Sequence, residues 1–299
     1  MGGMESHRRQ GLAWRCLCFA ILCATGWADS VVVFNEIQYH PAVGAPEWIE
    51  LYNQMAIDID LSGWSLDGAV EYTFVEGTLI PAGSYLVVAS QPELFCAQGI
   101  PASQVLGPFK GKLDNGGETV RLINNSGRLL NRVRYGTDGD WPTAPRGTGV
   151  SLARINPMRG TDDPANWTWS DQVGGTPGTA NFPGGAVRIR PLRFNEIDAA
   201  GGNQFQIEII CGHSDFVALG DYRLEIRGKT STLRPLPQTT LQPGQFHVVV
   251  IDDLKGGPSE GDLLVLWQGD DCISDATTVT NRVRGRYPDG ADTWCFEET

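Results

Sequence analysis

The sequence predicts an all-β protein built from β-sandwiches, and three observations support this fold class. Apolar and polar residues alternate in residues 31–53 with the period of two that is typical of β-strands. About nine short strand-like segments follow at roughly ten-residue spacing up to residue 181, with no convincing amphipathic helix. The 37 glycines and 18 prolines indicate many turns, while the 41% hydrophobic content is sufficient for a folded core.

Residues 31–53 are predicted to form the first two strands, which a polar, proline-containing break separates. In the second strand Ile49 and Leu51 fall on one face, whereas Trp48 and Glu50 fall on the other. This arrangement is typical of the start of an antiparallel β-domain.

The later elements of the first half follow in order. Strands are expected at residues 58–66, 72–74, 84–89, 119–123, 129–135 and 150–155, with a single helical turn at 92–98. Two of these strands, 119–123 and 129–135, should pair as a hairpin because the turn sequence 124–127 joins them.

The first 28 residues have the pattern of a signal peptide. Three arginines form a positive region, residues 16–25 form an apolar core, and residues 26–28 offer a small-residue cleavage site before Asp29. The apolar run is too short to cross a bilayer comfortably. We therefore expect a secreted or periplasmic, cell-envelope protein with no stable membrane span after cleavage. An uncleaved N-terminal anchor is the alternative.

The acidic balance of the chain argues against nucleic-acid partners. Loss of the signal removes three Arg and one Glu, which changes the net charge from −12 to about −14. A surface of this sign repels phosphate backbones, and no basic stripe compensates for it.

Four cysteines remain after signal cleavage, and an oxidising compartment would permit disulfides among them. Their spacing lacks a C-x-x-C motif, so a zinc site is not expected. Four cysteines allow three pairings. We expect one bridge within the second half, among Cys211, Cys272 and Cys295, and a buried free thiol at Cys96.

The second half of the chain repeats the first. Phe194-Asn-Glu-Ile197 follows Phe34-Asn-Glu-Ile37 at a separation of 160 residues, and further matches occur in the same order. The sequence thus divides into a signal peptide at 1–28, a sandwich at 29–181, a linker at 182–190 and a second sandwich at 191–299. The second copy should be degenerate or truncated, with its last strand in doubt and a sheet edge exposed. Residues 248–251 are expected to form a buried strand.

Many short motifs of the first half, taken in order, resemble the lamin-tail domain. They are Phe34-Asn-Glu-Ile37, Glu47-Trp-Ile-Glu-Leu-Tyr-Asn53, Asp60-Leu-Ser-Gly-Trp64, Pro81-Ala-Gly83, Leu113 with Gly117-Glu118, Tyr135, Trp141-Pro142, Gly149 with Ser151-Leu152, Asn166-Trp167, Gly175-Thr-Pro-Gly178 and Asn181. The resemblance implies a nine-stranded, immunoglobulin-like sandwich with an interaction role, and it implies no known ligand. The chain lacks the heptad rod, nuclear localisation signal and lipidation box of eukaryotic lamins, so it is similar to the exported bacterial members.

Candidate acidic sites have structural alternatives. Glu36, Glu47 and Glu50 could serve acid–base chemistry such as glycoside hydrolysis, yet Glu196 and Glu208 repeat two of them, which favours a role in the fold. Several aspartates could supply oxygen ligands to Ca²⁺, but no EF-hand-type loop is present. These aspartates are Asp58, Asp60, Asp67, Asp138 and Asp140.

No nucleophile motif is present, because the sequence contains neither G-x-S-x-G nor H-E-x-x-H. His40, His213 and His247 are the histidines that remain after signal cleavage, and His40 and His247 are interpreted as bystanders. Tryptophans could form a sugar-stacking platform, but core packing is favoured for Trp48, Trp64, Trp141 and Trp167 because they fall on motif positions. Trp169 and Trp267 are expected to be freer to be exposed.

We therefore predict tandem immunoglobulin-like β-sandwiches in an exported, noncatalytic structural, adhesion or protein-interaction module. No catalytic, cofactor-binding or metal-binding residue is assigned, and Ca²⁺ stays a minor alternative. The partner is expected to be a protein or a cell-surface polymer. The alternative function is a carbohydrate-binding accessory module of an extracellular hydrolytic system.

Overall fold

The computed structural model describes residues 30–296 apart from residues 98, 203, 213–214, 255–256 and 292–293 and the side chains of residues 96 and 97. The first half contains strands β1 Val32–Gln38, β2 Trp48–Asn53, β3 Ile59–Asp60, β4 Ser65–Gly68, β5 Val70–Thr73, β6 Leu79–Ile80, β7 Tyr85–Ala89, β8 Val105–Leu106, β9 Lys110–Gly111, β10 Glu118–Ile123, β11 Leu129–Tyr135, β12 Val150–Arg154 and β13 Trp167–Val173. It also contains the short helix α1 Glu93–Ala97 and 3-10 turns at Ala102–Gln104 and Pro164–Asn166.

The second half contains strands β14 Leu192–Ile197, β15 Phe205–Cys211, β16 Val217–Ala218, β17 Tyr222–Arg227, β18 Ser231–Pro235, β19 Thr240–Leu241, β20 Phe246–Ile251, β21 Leu263–Gln268, β22 Cys272–Thr278, β23 Arg284–Arg286 and β24 Trp294–Phe296. A 3-10 turn at Leu219–Asp221 precedes β17. Across the described ranges, no helix has the length and apolar character that a membrane crossing requires. The all-β, immunoglobulin-like sandwich prediction is confirmed.

The first half is a sandwich of two main sheets. One sheet has the order β13-β12-β1-β2-β7-β8 and the other the order β11-β10-β4-β5-β9. Their facing sides enclose a core that includes Phe34, Ile49, Leu51, Val120 and Leu122. The predicted alternation of β2 therefore places Ile49 and Leu51 in this core, as expected.

The second half repeats this strand order. Its sheets run β20-β15-β14-β23-β24 and β18-β17-β21-β22, so each strand has a counterpart in the first half. The pairing of β1 with β2 shifts register between Phe34 and Glu36, and the pairing of β14 with β15 shifts between Phe194 and Glu196. A bulge at the same place in both halves shows that the repeated Asn-Glu motif marks the same local geometry.

The two halves pack against each other through an apolar cluster. It joins Ala144 and Val150 of the first half to five residues of the second half, Leu263, Val265, Trp267, Ile273 and Ala276. Trp169 lies against this cluster and donates a hydrogen bond from Nε1 to the carbonyl of Ile273 at 3.1 Å. Trp267 is buried and donates to Glu225 at 2.8 Å. The expectation that Trp267 is free to be exposed is therefore wrong, because the interface between the halves covers it.

Two expectations about the second half are corrected. The last strand is present as the short β24, which pairs with β23. The predicted buried strand at 248–251 forms as β20, yet Val248 and Val250 are each 46% exposed and only Ile251 is fully buried. β20 is one edge strand of this sheet, and β24 is the other.

The predicted disulfide in the second half is wrong. Cys211, Cys272 and Cys295 are all free thiols, the first two buried and the third exposed. Cys211 lies on β15 and Cys295 on β24, so two strands, β14 and β23, separate them. Three inter-strand steps of ~4.8 Å exceed the reach of a disulfide.

Cys272 lies in the other sheet and accepts a hydrogen bond from Arg188 at 2.8 Å. The Cys96 side chain lies outside the described residues.

Candidate functional site

Two glutamates lie opposite each other on β1 and β2, the two middle strands of the six-stranded sheet. Glu36 on β1 pairs directly with Glu50 on β2, and both side chains are fully buried. Like charges at directly opposed positions of adjacent strands repel each other. The pair therefore needs hydrogen-bond donors, a shared proton, or both.

Glu36 receives its donors from two other parts of the chain. The hydroxyl of Ser151 on β12 donates to Glu36 Oε1. The backbone N–H of Thr176 donates to the same oxygen at 3.0 Å, and the Thr176 hydroxyl donates to Oε2 at 2.9 Å. The side chain of Glu36 thus ties the chain segment after β13 to the sheet.

Glu50 anchors the same segment a few residues later. The backbone N–H of Gly178 donates to Glu50 Oε2 at 2.6 Å, and the Asn35 amide donates to Oε1 at 2.8 Å. Asn181 then donates to the carbonyls of Asn35 and Arg154, both at 2.9 Å. The buried acids and Asn181 together hold residues 175–181, which we call the closing segment, across the outer face of the sheet.

The closing segment approaches the sheet so closely that one position requires glycine. A Cβ on Gly175 would lie 2.7 Å from Glu36 Oε1, 2.8 Å from Trp48 Cζ2 and 2.9 Å from Ser151 Oγ, and its φ is +78°. A side chain at this position would collide with the acid and with its donor. The Gly-Thr-Pro-Gly motif is therefore a consequence of how the segment docks.

Burial raises the pKa of the Glu36 carboxyl to about 7, although hydrogen bonds from Ser151 and Thr176 oppose the increase. Burial also raises the pKa of Glu50, and the neighbouring charge of Glu36 raises it further. The two carboxyls titrate as a pair because each lies within the field of the other.

This geometry supports the structural interpretation of the acids over the catalytic one. Both carboxyls are sealed from solvent, and their oxygens accept bonds from the fold itself. Glu47 is half-buried and accepts the Leu113 N–H at 2.9 Å, so it serves a loop instead of joining the pair. In the second half Glu196 is exposed, whereas Glu208 is half-buried and still accepts from Asn195 at 2.8 Å.

Three of the five aspartates considered for Ca²⁺ serve separate turns or an ion pair. Asp58 accepts the Ala82 N–H at 3.0 Å, Asp60 accepts the Ser62 N–H at 2.8 Å, and Asp67 lies 3.5 Å from Arg121. Among the side chains that the structure describes, no three His, Cys, Asp or Glu residues form a group suited to a metal ion.

His40 and His247, the two histidines that the structure describes, lie in different halves of the molecule. His40 is half-buried beside Gly147, and burial together with the charge of Arg146 lowers its pKa. His247 lies in β20, and His213 is outside the described residues.

A second feature of the molecule is an arginine- and tryptophan-lined cleft between the two halves. Its volume is about 1130 Å³, and its lining includes Trp141, Trp167, Trp169, Trp294, Arg188, Arg190, Arg193, Arg284 and Arg286. The guanidinium of Arg190 lies 4.1 Å from the Trp169 ring centre. Arg284 and Arg286 lie 4.5 and 4.4 Å from that of Trp294. Cation–π contacts thus organise both walls.

The cleft contains acidic residues as well as arginines, because Asp138, Asp140, Asp163 and Asp275 also line it. Arg286 forms an ion pair with Asp275 at 2.9 Å and Arg190 with Asp171 at 3.3 Å. The side chain of Arg284 donates to the neutral oxygens of Thr277 and Thr278, and within the described ranges it makes no ion pair. Burial and the charge of Arg286 lower the pKa of Arg284 to about 10. No sequence motif predicts this cluster, although five arginines near tryptophans are conspicuous in so acidic a chain.

The tryptophans of the first half mostly have the packing role expected of them. Trp48 and Trp167 are buried, and Trp64 and Trp141 pack against the main core. Trp169 is half-buried at the contact between the halves instead of being free in solvent.

Comparison with known families gives one match. Residues 27–137 match the model of the lamin tail domain. The matched region extends from the start of the first sandwich through β11, so it includes the strands that carry Glu36 and Glu50. No curated protein matches the chain. The match supports the family resemblance for this part of the first half.

Stability should fall as the pH rises through the pKa of the buried acid pair. Because the native-state pKa of Glu36 is about 7 and its ordinary value is 4.5, the native state holds the proton more tightly. The resulting stability is complete below about pH 4.5 and is lost as the pH rises through about 7. Glu36→Gln should flatten this decline relative to wild type in urea unfolding measured between pH 5 and pH 8. The control Glu76→Gln, at an exposed site, should show the same decrease in the free energy of unfolding with pH as wild type. An equal decrease in wild type and Glu36→Gln would contradict the assignment of the raised pKa to Glu36.

Neighbouring glycines provide a matched test of the closing segment. Gly174 and Gly175 both have positive φ, but a Cβ on Gly174 would contact nothing within 4 Å. Gly174→Ala should therefore lower the free energy of unfolding by about 1 kcal/mol through backbone strain alone. Gly175→Ala should lower it by about 2 to 4 kcal/mol, because the collision is added. Equal losses in the two variants, measured by urea unfolding, would show that the segment does not dock tightly on the acids.

Proposed function

We propose that this protein is an exported, noncatalytic protein-interaction module composed of two tandem lamin-tail-like sandwiches. The lamin tail match in the first half supports an interaction role, since immunoglobulin-like domains of this kind typically bind proteins. The shared strand order and the shared bulge support treating the second half as a second, diverged copy. The signal-like N-terminal sequence agrees with an exported, bacterial-type protein that contains lamin-tail domains.

The observation that carries the noncatalytic assignment is the use of Glu36 and Glu50 inside the fold. A general acid or base must reach the proton that it transfers. Here the donors of Ser151, Thr176 and Gly178 occupy the carboxylate oxygens, and the closing segment covers them. These two buried carboxyls thus stabilise the sandwich instead of facing a substrate.

The proposed location at the cell envelope or outside the cell rests on the N-terminal 28 residues. Their positive region, apolar core and small-residue site fit a cleaved signal, and the acidic remainder fits an exported chain without nucleic-acid partners. Structural, adhesive and protein-binding roles all agree with rigid tandem sandwiches.

A carbohydrate-binding role is the second candidate, and the cleft between the halves favours it. Tryptophan rings provide surfaces on which sugars stack, and a guanidinium without a carboxylate partner, such as that of Arg284, suits an acidic sugar. Arg188 is exposed at this cleft, where it contacts the neutral partners Cys272 and Gln268.

Cross-linking in cells that express the full chain distinguishes the two candidates. We expect a mature N-terminus at Asp29 and higher-mass adducts that a protease removes and glycosidases do not. Saturable binding on a glycan array would overturn the proposal if Arg188→Glu abolishes it and Arg128→Glu, an exposed arginine in the β10–β11 turn, does not. Turnover of any ester, phosphate or glycoside in a broad substrate panel would contradict the noncatalytic assignment.

A further inference from the structure

Strand β20 is an open edge of the second sandwich. It pairs with β15 on one side, and in the part of the chain that the structure describes no strand pairs with its other side. Unpaired edges are templates for the addition of another strand. Natural proteins usually protect them with charged residues, prolines or a covering element.

In the first half the equivalent edge is covered. β7 pairs with β2 on one side and with β8, in parallel, on the other, where Val87 is opposite Val105. Helix α1 adds Phe95, which packs with Trp48, Val87 and Val105 in a separate apolar cluster. Val87 is consequently 0% exposed.

The chain after β20 is too short to supply the same cover. Residues 90–117 connect β7 to β10 and contain α1 and β8, whereas residues 252–262 alone connect β20 to β21. Val248, the counterpart of Val87 by its position in the ladder, is 46% exposed. The open edge therefore follows directly from a shortened connection.

The backbone of β20 offers its unpaired groups at alternate positions. The Cys211 N–H donates to the Gln245 carbonyl at 2.9 Å, which sets the phase of the β15–β20 ladder. In an antiparallel ladder the bonded pairs recur every second residue, so residues 247, 249 and 251 bond to β15. The backbone groups of Phe246, Val248 and Val250 then point outward. An added strand would satisfy them.

The side chains at these positions are apolar and exposed. Phe246 is 42% exposed, and Val248 and Val250 are each 46% exposed. β20 contains no acidic residue, lysine, arginine or proline. The usual protection of an edge strand is thus missing where the backbone is open.

The polar anchor for a covering segment is retained beside this edge. In the first half Asn35 donates to Glu50, and Glu50 also accepts the backbone N–H of Gly178. In the second half Asn195 donates to Glu208 in the same way at 2.8 Å, and Glu208 remains half-exposed. Its carboxylate can accept an N–H from a polypeptide that lies across the sheet.

On the premise of the proposed function, we propose that β20 binds an extended polypeptide segment of a partner protein, which adds parallel to β20 as β8 adds to β7. The recognised segment carries apolar side chains at alternate positions, which cover Phe246, Val248 and Val250. Basic residues flank it, because Asp252 follows the strand, Glu208 lies beside it, and the whole chain has a net charge of −12. A second copy of this chain is a poorer occupant, since it has the same acidic surface.

Panning a phage-displayed random library of peptides about 12 residues long against the full chain tests this assignment. We expect enriched peptides to have alternating apolar residues with Lys or Arg flanks. Val248→Lys should weaken their binding by about tenfold or more, and Val248→Pro, which removes an outward N–H, should do the same. The matched control is Leu233→Lys, which makes the same change at a 50% exposed position on β18, the edge strand of the other sheet. Melting temperatures of all variants establish that each is folded.

The outcomes separate this inference from the proposed function. Peptides that bind wild type and both folded Val248 variants equally would overturn the β20 site while leaving a protein-binding role elsewhere. Failure to enrich any peptide would also overturn it, and the cross-linking experiment would decide the proposed function independently. A dimer that Val248→Lys dissolves, seen by light scattering, would identify a second copy as the occupant and contradict the partner assigned here.

Discussion

The pairing of Glu36 with Glu50 is the constraint on which the first sandwich depends. Two carboxyls at directly opposed positions of adjacent central strands would destabilise the sheet if both were charged and unsatisfied. The closing segment resolves this conflict by aiming the N–H groups of Thr176 and Gly178 at them. The acids in return fix a segment distant in sequence onto the outer face. Burial of the acids, raised pKa and close glycine packing are thus aspects of one arrangement.

The second sandwich has the strand order of the first but, in its described residues, lacks counterparts of α1 and β8. Asn195 and Glu208 still form the inner hydrogen bond, while the loop at Gly290 donates its N–H to Asn195 at 2.9 Å. The shortened connection at 252–262 leaves β20 open. The two halves therefore differ far more in their surfaces than in their strand order.

Sequence patterns predicted the long strands β1, β2, β7, β10, β11 and β12, the single helical turn and the structural role of the acids, because period-two alternation and turn residues depend on local chemistry. They missed the short strands β6, β8 and β9 and the strand β13. They could not predict which faces another segment covers. Val248 and Val250 look like residues of a buried strand, and only the absent counterpart of β8 makes them exposed. The sequence around Trp267 does not indicate that its side chain is buried, because residues of the first half, Ala144 and Val150, belong to the cluster that buries it. The arginines of the cleft come from the segment that enters β14 and from β23, so they converge only when these two strands, distant in sequence, pair with each other.

Native-state hydrogen exchange at Val87 and Val248 tests whether the two halves share one strand order and differ in the elements that cover it. Both amides occupy the same ladder position, and both face away from the central strand. The account predicts slow exchange at Val87, which β8 covers, and fast exchange at Val248, which faces solvent. Equal protection at the two amides in the isolated chain would contradict it.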